Sequence, residues 1–370
     1  MPATTPAGGA TPAAAATTPP AALTRIIFVT QQVDPQHPAL AATVTKIAAL
    51  AALVDEIVVL TDGAVPGVLP ANCRVHEFGA RSQAGRGARF AAALARELLR
   101  RPRPVAVVAH MCPIYVVLAA PLVRPLGVPL LLWYTHWHAS SLLRVAERLV
   151  TDVVSVDVRS FPLPSPKVTP IGHGIELAEF PCPERPAPGP TLHVLQLGRT
   201  SSAKGIAEVV RGIAEARRRG LDARLLFHGP SLTAAEQAYR VEVAALVAEL
   251  GLGDSVTIGG PVPRSEVPAL LAATDVFVNN MRAGSPDKAV FEAAASGVPV
   301  VASNPVFDTL LEPQWLFGRE DAGSLADRLQ AAAALTRDER AATGLRLRAR
   351  VRESHSVASW AEGILRVARG

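Results

Sequence analysis

Arg199 and Lys204 stand five residues apart in Gly198-Arg199-Thr200-Ser201-Ser202-Ala203-Lys204-Gly205, directly after the apolar run 192–197. That run reads as a buried strand, and Ile206, Val209, Val210 and Ile213 follow at helical spacing, so the loop is a strand-to-helix turn. A cation at a helix start opposes the helix dipole. Lys204 in that position, after two serines and before Gly205, implies an anion shared between the helix amides and the ammonium group. An exposed pair of no consequence is the plain alternative. A second such start lies in 275–303, DVFVNNMRAGSPDKAVFEAAASGVPVVAS, which reads as strand, loop, helix, tight turn and strand. Ser285 is read as the helix cap, Pro286 as its first residue and Gly297 as its end. Lys288 then opposes the dipole, with Asp287 beside it as a simple pairing partner. Glu292, among Ala293, Ala294 and Ala295, could accept two hydrogen bonds from a vicinal diol such as ribose, or merely face solvent.

In the N-terminal half, His136 and His138 lie in Thr135-His136-Trp137-His138-Ala139-Ser140-Ser141, after the apolar run 129–134. His173 lies in Gly172-His173-Gly174, after the run 168–171. Open α/β sheets bind ligands beyond the carboxyl ends of their strands, where these histidines fall. A histidine packed against a tryptophan for structural reasons is the alternative.

The elements that would position these groups alternate strand and helix throughout. Runs 25–30, 57–60, 105–110, 129–134, 153–156 and 168–171 are strands of a first domain, with a helix carrying Leu40, Val44, Ile47, Ala51 and Val54 after the first strand. The proline-rich stretch 181–190 reads as a linker. Strands at 192–197, 224–229, 256–258, 276–278 and 298–302 build a second domain, with further helices at 233–250, 266–273, 324–335 and 358–367. The expected layout is a tail at 1–22, an N-terminal Rossmann-like domain at 23–180, a linker at 181–190 and a C-terminal Rossmann-like domain at 191–351. The last helix, 352–370, would return to complete the first domain. Two doubly wound α/β halves imply a cleft between facing sheet edges.

Composition agrees with this class and excludes others. Of 370 residues 49% are hydrophobic and 19% charged, which predicts two large cores. A net charge of +5, with dispersed arginines, gives no reason to expect a nucleic-acid partner. Cys73, Cys112 and Cys182 form no CxxC, which points to a reducing cytoplasm and away from structural zinc. The first strand-to-helix turn lacks glycine and no GxxxxGK occurs, which counts against NAD enzymes and P-loop NTPases. Residues 1–20 carry no charge and only Ala, Thr, Pro and Gly after Met1; they read as a disordered tail rather than a signal peptide. Between Arg81 and Arg103 seven arginines face one acid, Glu97; on a helix Arg89, Arg96 and Arg100 would share a face able to meet anionic lipid, or simply water.

Four motifs in order carry a resemblance: GR-x4-KG at 198–205, LGLGDSVTIGG at 250–260, ATDVFV at 273–278 and FEAAASGVPVVAS at 291–303. Together they resemble the C-terminal half of retaining glycosyltransferases of the GT-B fold, glycosyltransferase family 4-like, group 1. The N-terminal half resembles the family through its strand order and the His-containing loop after Tyr134. The resemblance implies that Arg199 and Lys204 bind the diphosphate of a nucleotide-sugar donor, that Glu292 holds the ribose hydroxyls, and that His136, or His138, lies near the transferred sugar. The chain departs from the family twice. The first Glu of the family's pair should stand eight residues before Glu292, at Gly284, so sugar contacts fall to Ser285, Asp287, Lys288 or backbone amides. The glycine-rich first loop is replaced by Asp34-Pro35-Gln36-His37-Pro38-Ala39.

The expected activity is metal-independent, retaining transfer of a hexose from a nucleotide-diphosphate sugar, UDP before GDP, to a hydroxyl of a small-molecule, glycan or lipid-linked acceptor. No DxD pair is present to hold a metal on the phosphates, and no other cofactor is expected. The competing readings are an inverting transferase or epimerase on the same donors, and a nucleotide-sugar-binding protein without activity.

Overall fold

The structure, a computed structural model, describes residues 24–37, 40–284 and 286–370. The expected tail at 1–22 and Ser285 lie outside the described residues. The N-terminal domain runs β1 (Arg25–Val33), α1 (Ala42–Ala51), β2 (Glu56–Ala64), β3 (Cys73–Glu77), α2 (Gln83–Leu99), β4 (Ala106–His110), α3 (Pro113–Val123), β5 (Leu130–Trp133), α4 (Ser141–Leu149), β6 (Asp152–Ser155) and β7 (Val168–Pro170). Its seven strands form one parallel sheet in the order 3-2-1-4-5-6-7. The C-terminal domain runs β8 (Thr191–Leu197), α5 (Ile206–Arg218), β9 (Asp222–His228), α6 (Ala234–Glu249), β10 (Val256–Gly259), α7 (Val267–Ala272), β11 (Val276–Asn279), α8 (Lys288–Ala295) and β12 (Val300–Ala302). These five strands are also parallel, in the order 10-9-8-11-12. Helices α9 (Ala322–Ala333), α10 (Arg337–Ser354) and α11 (Val357–Arg369) complete the chain.

Both sheets are covered on both faces, which is why their strands read as unbroken apolar runs. Ile26, Phe28, Val108 and Trp133 face α1 and α11, whereas Ile27, Val29, Val107 and Leu132 face the opposite layer with Phe90 and Tyr115. The last helix crosses from the C-terminal domain to the first one. Trp360 of α11 is fully buried there, edge-on to Trp133 at 5.7 Å and to Phe28 at 6.4 Å. Truncating such a residue costs about 3–5 kcal/mol. Residues 181–190 form no regular element, but Arg185 donates to the carbonyls of Leu271, Ala272, Thr274 and Ser296 and ties the stretch to the second domain.

Two expectations are corrected. The basic stretch is not one helical face: α2 ends at Leu99, and Arg100 turns away in extended conformation to pair with Glu56 and Glu97. Glu97, the lone acid of the stretch, is fully buried and also binds Arg25 at 3.1 Å and Arg74 at 3.2 Å. Its burial would raise its pKa, but the hydrogen bond from Arg100 and the surrounding guanidinium groups outweigh that and hold it below the usual carboxylate range. The helix expected to start at Ser285-Pro286 instead begins at Lys288, with Asp287 at its N-cap. Asp287 itself has extended backbone, φ −67° and ψ 122°, so helical geometry starts only after it. Elements β3, α4 and α10 are additions to the sequence reading. Among the described residues no helix is long and apolar enough to cross a membrane.

Candidate active site

The carboxyl edges of the two sheets face each other across a cleft of about 1130 Å³, lined by α1, His110 and His173 on one wall and by Gly198, Asp287 and Glu292 on the other. On the C-terminal wall two helix starts meet. Lys204 precedes α5 and Asp287 precedes α8, and their side chains form an ion pair in which Asp287 Oδ2 also accepts from Asn279 Nδ2 at 2.7 Å. Asn279 ends β11 and is buried, so it sets the carboxylate from the sheet side. Gly198 makes room for this pair. Its φ is +137°, and a Cβ there would lie 2.4 Å from the Lys204 ammonium.

The pairing has a consequence for α8. At α6 and α10 a threonine and a glutamate close a capping box over the first amides. Asp287 would suit the same duty, yet its carboxylate is directed to Lys204 and Asn279, and α8 has no side-chain cap. Helix α5, entered through Gly205, has none either. Both helix starts thus lack an N-cap side chain beside one ammonium group; the Ala207 amide of α5 donates to the Tyr239 hydroxyl at 3.2 Å, so the start of α8 is the more open of the two, an arrangement that suits a phosphate.

Farther along α8, Glu292 is buried on the cleft side. Lys288 Nζ lies 3.0 Å and Arg264 Nη1 2.9 Å from the same oxygen, Oε1, so both cations gather on one side of the carboxylate. Arg264 also bridges to Glu179 at 2.6 Å. Lys288 thus pairs one helical turn ahead with Glu292, not with its neighbour Asp287. Arg264 was missing from the sequence reading; its signal was a lone cation in Pro261-Val262-Pro263-Arg264 at a strand-to-helix turn.

The structure separates Arg199 from Lys204. The Arg199 guanidinium is about half exposed and lies 2.5 Å from Glu236, the capping-box glutamate of α6. A carboxylate held at a helix start and facing the loop drew this cation outward, while Lys204 folded back over Gly198.

On the N-terminal wall the histidine loop is an exposed turn. His136 Nδ1 accepts from the His138 amide at 3.0 Å, and its ring stacks on Trp137 with centroids 5.5 Å apart. Partial burial and the adjacent His138 lower the pKa of His136. The Arg282 guanidinium of the second domain lies 5.5 Å from the Trp137 ring centre, and Arg159 pairs with Asp308 at 2.8 Å, so both contacts join the domains at one side of the cleft. His138 turns its ring to solvent and offers its carbonyl to Tyr134. His173 lies deeper, against Phe291 with centroids 5.4 Å apart; burial first, then the charges of Lys46 and Lys288, keep it well below its ordinary pKa. Gly284, where the resemblance asks for a carboxylate, has φ +81°, and a Cβ there would lie 3.5 Å from the Arg159 carbonyl. A glutamate at that position would be strained, and the acid on this part of the wall is Asp287. Among the described residues no three His, Cys, Asp or Glu side chains gather as a metal site.

The comparisons with known proteins fit this geometry. Residues 191–334 match the family model described as glycosyl transferases group 1. Across nearly the whole chain the structure resembles sucrose-phosphate synthase from Thermosynechococcus elongatus, with a TM-score of 0.71 at 19% identity over 94% of this chain and 98% of that one. The fold is GT-B. Anabaena HepE in complex with UDP and glucose gives a TM-score of 0.69 at 17% identity over 93% of this chain and 98% of that one. Among curated proteins the chain is 26% identical to the putative colanic acid biosynthesis glycosyltransferase WcaL of Escherichia coli K12, over 55% of this chain and 51% of that protein. It is 31% identical to the 2-deoxystreptamine glucosyltransferase of Streptomyces kanamyceticus, over 29% of this chain and 26% of that protein. The chain thus spans about half of the first curated relative and about a quarter of the second.

Proposed function

We propose that this chain is a metal-independent, retaining glycosyltransferase that moves a hexose from a nucleotide-diphosphate sugar, UDP before GDP, to a hydroxyl acceptor. The observation that carries the reading is the meeting of two helix starts without an N-cap side chain at the Lys204–Asp287 pair, one turn from the buried carboxylate of Glu292. A diphosphate entering there draws Lys204 from Asp287 and takes first-turn amides of α8. Asp287, still held by Asn279, is released toward the hydroxyls of the sugar, and Glu292 accepts from the ribose diol. The solved relative HepE, whose complex contains UDP and glucose, and the curated glucosyltransferase relative support a UDP-hexose.

The chemistry asks little of side-chain bases. As the bond from the anomeric carbon to the phosphate oxygen breaks, negative charge grows on the phosphate, and Lys204 with the helix amides stabilises it by about 3 kcal/mol for each well-placed donor in a site closed to water. The acceptor hydroxyl attacks from the face that the phosphate leaves and gives its proton to that phosphate, which retains the configuration. His136 would stand beside the sugar on the opposite wall, and Arg199 would join the phosphates by exchanging Glu236 for them. The acceptor is a small molecule, a glycan or a lipid-linked saccharide, and the reaction belongs to the cytoplasmic side of the cell.

Calorimetry with UDP, GDP and ADP tests the donor site; no affinity for any of them would end the reading. Given binding, release of UDP on addition of an acceptor, with the product anomer read by NMR, tests transfer and stereochemistry, and EDTA should leave the rate unchanged. Gly284 favours one second reading, a nucleotide-sugar binder without activity: binding without UDP release across an acceptor screen would select it.

A further inference from the structure

The N-terminal wall contains a cation that the donor reading does not use. Lys46, on α1, is 4% exposed and lines the cleft. No carboxylate lies within ion-pair distance of it among the described residues; its neighbours are the rings of Trp133, with the ammonium 4.5 Å from the ring centre, and Trp360, at 5.2 Å. The backbone of Gly174 closes on its stem. Burial, with the charge of Lys288 across the cleft, pushes its pKa down to about 7. His110 stands on the same face of the sheet. It is the last residue of β4, paired in register with Trp133 at the end of β5, and is 5% exposed with neither ring nitrogen hydrogen-bonded. His173, which follows β7, likewise has a buried Nδ1 without a partner.

The carboxylates of the cleft are engaged elsewhere. Asp287 is held by Lys204 and Asn279, Glu292 by Arg264 and Lys288, and Glu179 by Arg264. Among the described residues Lys46 therefore sits buried without a counter-charge, in a cleft that it shares with the unpartnered His110 ring and the unpartnered Nδ1 of His173. Leaving such groups desolvated and unpaired is costly, and an incoming oxyanion satisfies all three together.

We propose that Lys46, His110 and His173 form an oxyanion site on the N-terminal wall, and that it holds a phosphate or carboxylate carried by the acceptor, apart from the donor's diphosphate. The existence of the site stands on these residues alone; its assignment to the acceptor rests on the donor reading above. An anionic acceptor would be oriented with its hydroxyl toward the donor wall, and its charge would convert Lys46 to the protonated form. The other titratable groups facing Lys46 are His110 from β4, His173 from the turn after β7 and Lys288 from α8.

The test uses the full chain saturated with UDP and inorganic phosphate as the probe, followed by calorimetry. Wild type is expected to bind phosphate and, at about pH 8.5, to take up about one proton from the buffer as it does so. Lys46→Met should weaken phosphate about tenfold or more and abolish the proton uptake, with UDP affinity changed by less than about twofold. Lys46→Arg should keep part of the affinity, and His110→Asn, which leaves the lysine in place, should weaken phosphate severalfold. A folded Lys46→Met protein that binds phosphate as tightly as wild type overturns the site. Loss of UDP affinity in Lys46→Met, with no phosphate bound to the UDP complex of wild type, overturns the acceptor assignment. If UDP does not bind wild type at all, the same phosphate titration without nucleotide still decides the site.

Discussion

The two walls of the cleft solve opposite electrostatic problems. On the C-terminal wall acids and cations are set in pairs: Lys204 with Asp287, Arg264 and Lys288 with Glu292, and beside them Arg199 with Glu236. On the N-terminal wall Lys46, His110 and His173 have aromatic neighbours and no acid. The paired wall can exchange partners when a charged ligand arrives, so binding there replaces one set of ion pairs by another. The unpaired wall gains its first counter-charge from the ligand. A site built by exchange is already charged and ordered before binding, whereas a buried lysine without an acid holds its proton weakly until the anion comes.

The largest effect is expected on the paired wall. Lys204→Ala should lower kcat/KM with a UDP-sugar by about 100- to 1000-fold, because it removes a donor aimed at the departing phosphate. Steady-state UDP release measures it, and a loss of less than about threefold would show that the pair with Asp287 is structural.

On the other wall, the linkage of Lys46 has a definite sign. Its folded pKa of about 7 lies below its ordinary value of 10.5, so between those values the unfolded chain keeps a proton that the folded chain has released. Its contribution to stability therefore rises with pH across that window. Lys46→Met should be more stable than wild type at neutral pH by about 2 kcal/mol, with the margin closing toward about pH 10. Thermal unfolding of the two proteins against pH checks this, and a margin that does not change with pH would mean that the lysine is not desolvated. His355, pushed down to about 4 by burial, works in the same direction at lower pH: stability should fall as the pH drops from 6.5 toward about 4, while the unfolded chain gains the proton.

Glu292→Ala is expected to weaken UDP about tenfold and leave pyrophosphate unaffected, as for a lost pair of hydrogen bonds to ribose. Equal losses for both ligands would mean that Glu292 acts by holding Lys288 and Arg264. The smallest effect belongs to the contact between the walls. Arg159 and Asp308 are both substantially exposed, so Arg159→Ala should cost under about 1 kcal/mol, and its signature is a larger radius of gyration in solution scattering as the domains part.

Much of this is legible in the residues alone. The apolar runs marked the sheet strands from 25–30 to 298–302, with β3 added only by the structure, since a strand buried on both faces needs no partner pattern to be seen. Lys204 and Glu292 stood out because each breaks a local rule, a cation at a helix start and a lone acid among alanines. Arg199 stood out in the same way, yet its direction was set by Glu236, 37 residues farther on, which no local rule could rank. Ser-Pro is a strong local signal that puts the start of α8 two residues early; in the structure the N-cap position falls to Asp287, whose carboxylate pairs with Lys204.

What the chain determines by itself is therefore the alternation of elements and the chemistry available at their ends, because periodicity and helix-terminus preferences act within one or two turns. The tertiary structure alone decided which of those groups share charge. Lys46 shows this most clearly: in sequence it is one lysine in an apolar helix, and only the packing of Trp133, Trp360 and the His173 turn around it removes water and withholds an acid. Desolvation is a property of the surroundings in space, and those surroundings come from α1, β5, the turn after β7 and α11, which span most of the length of the chain.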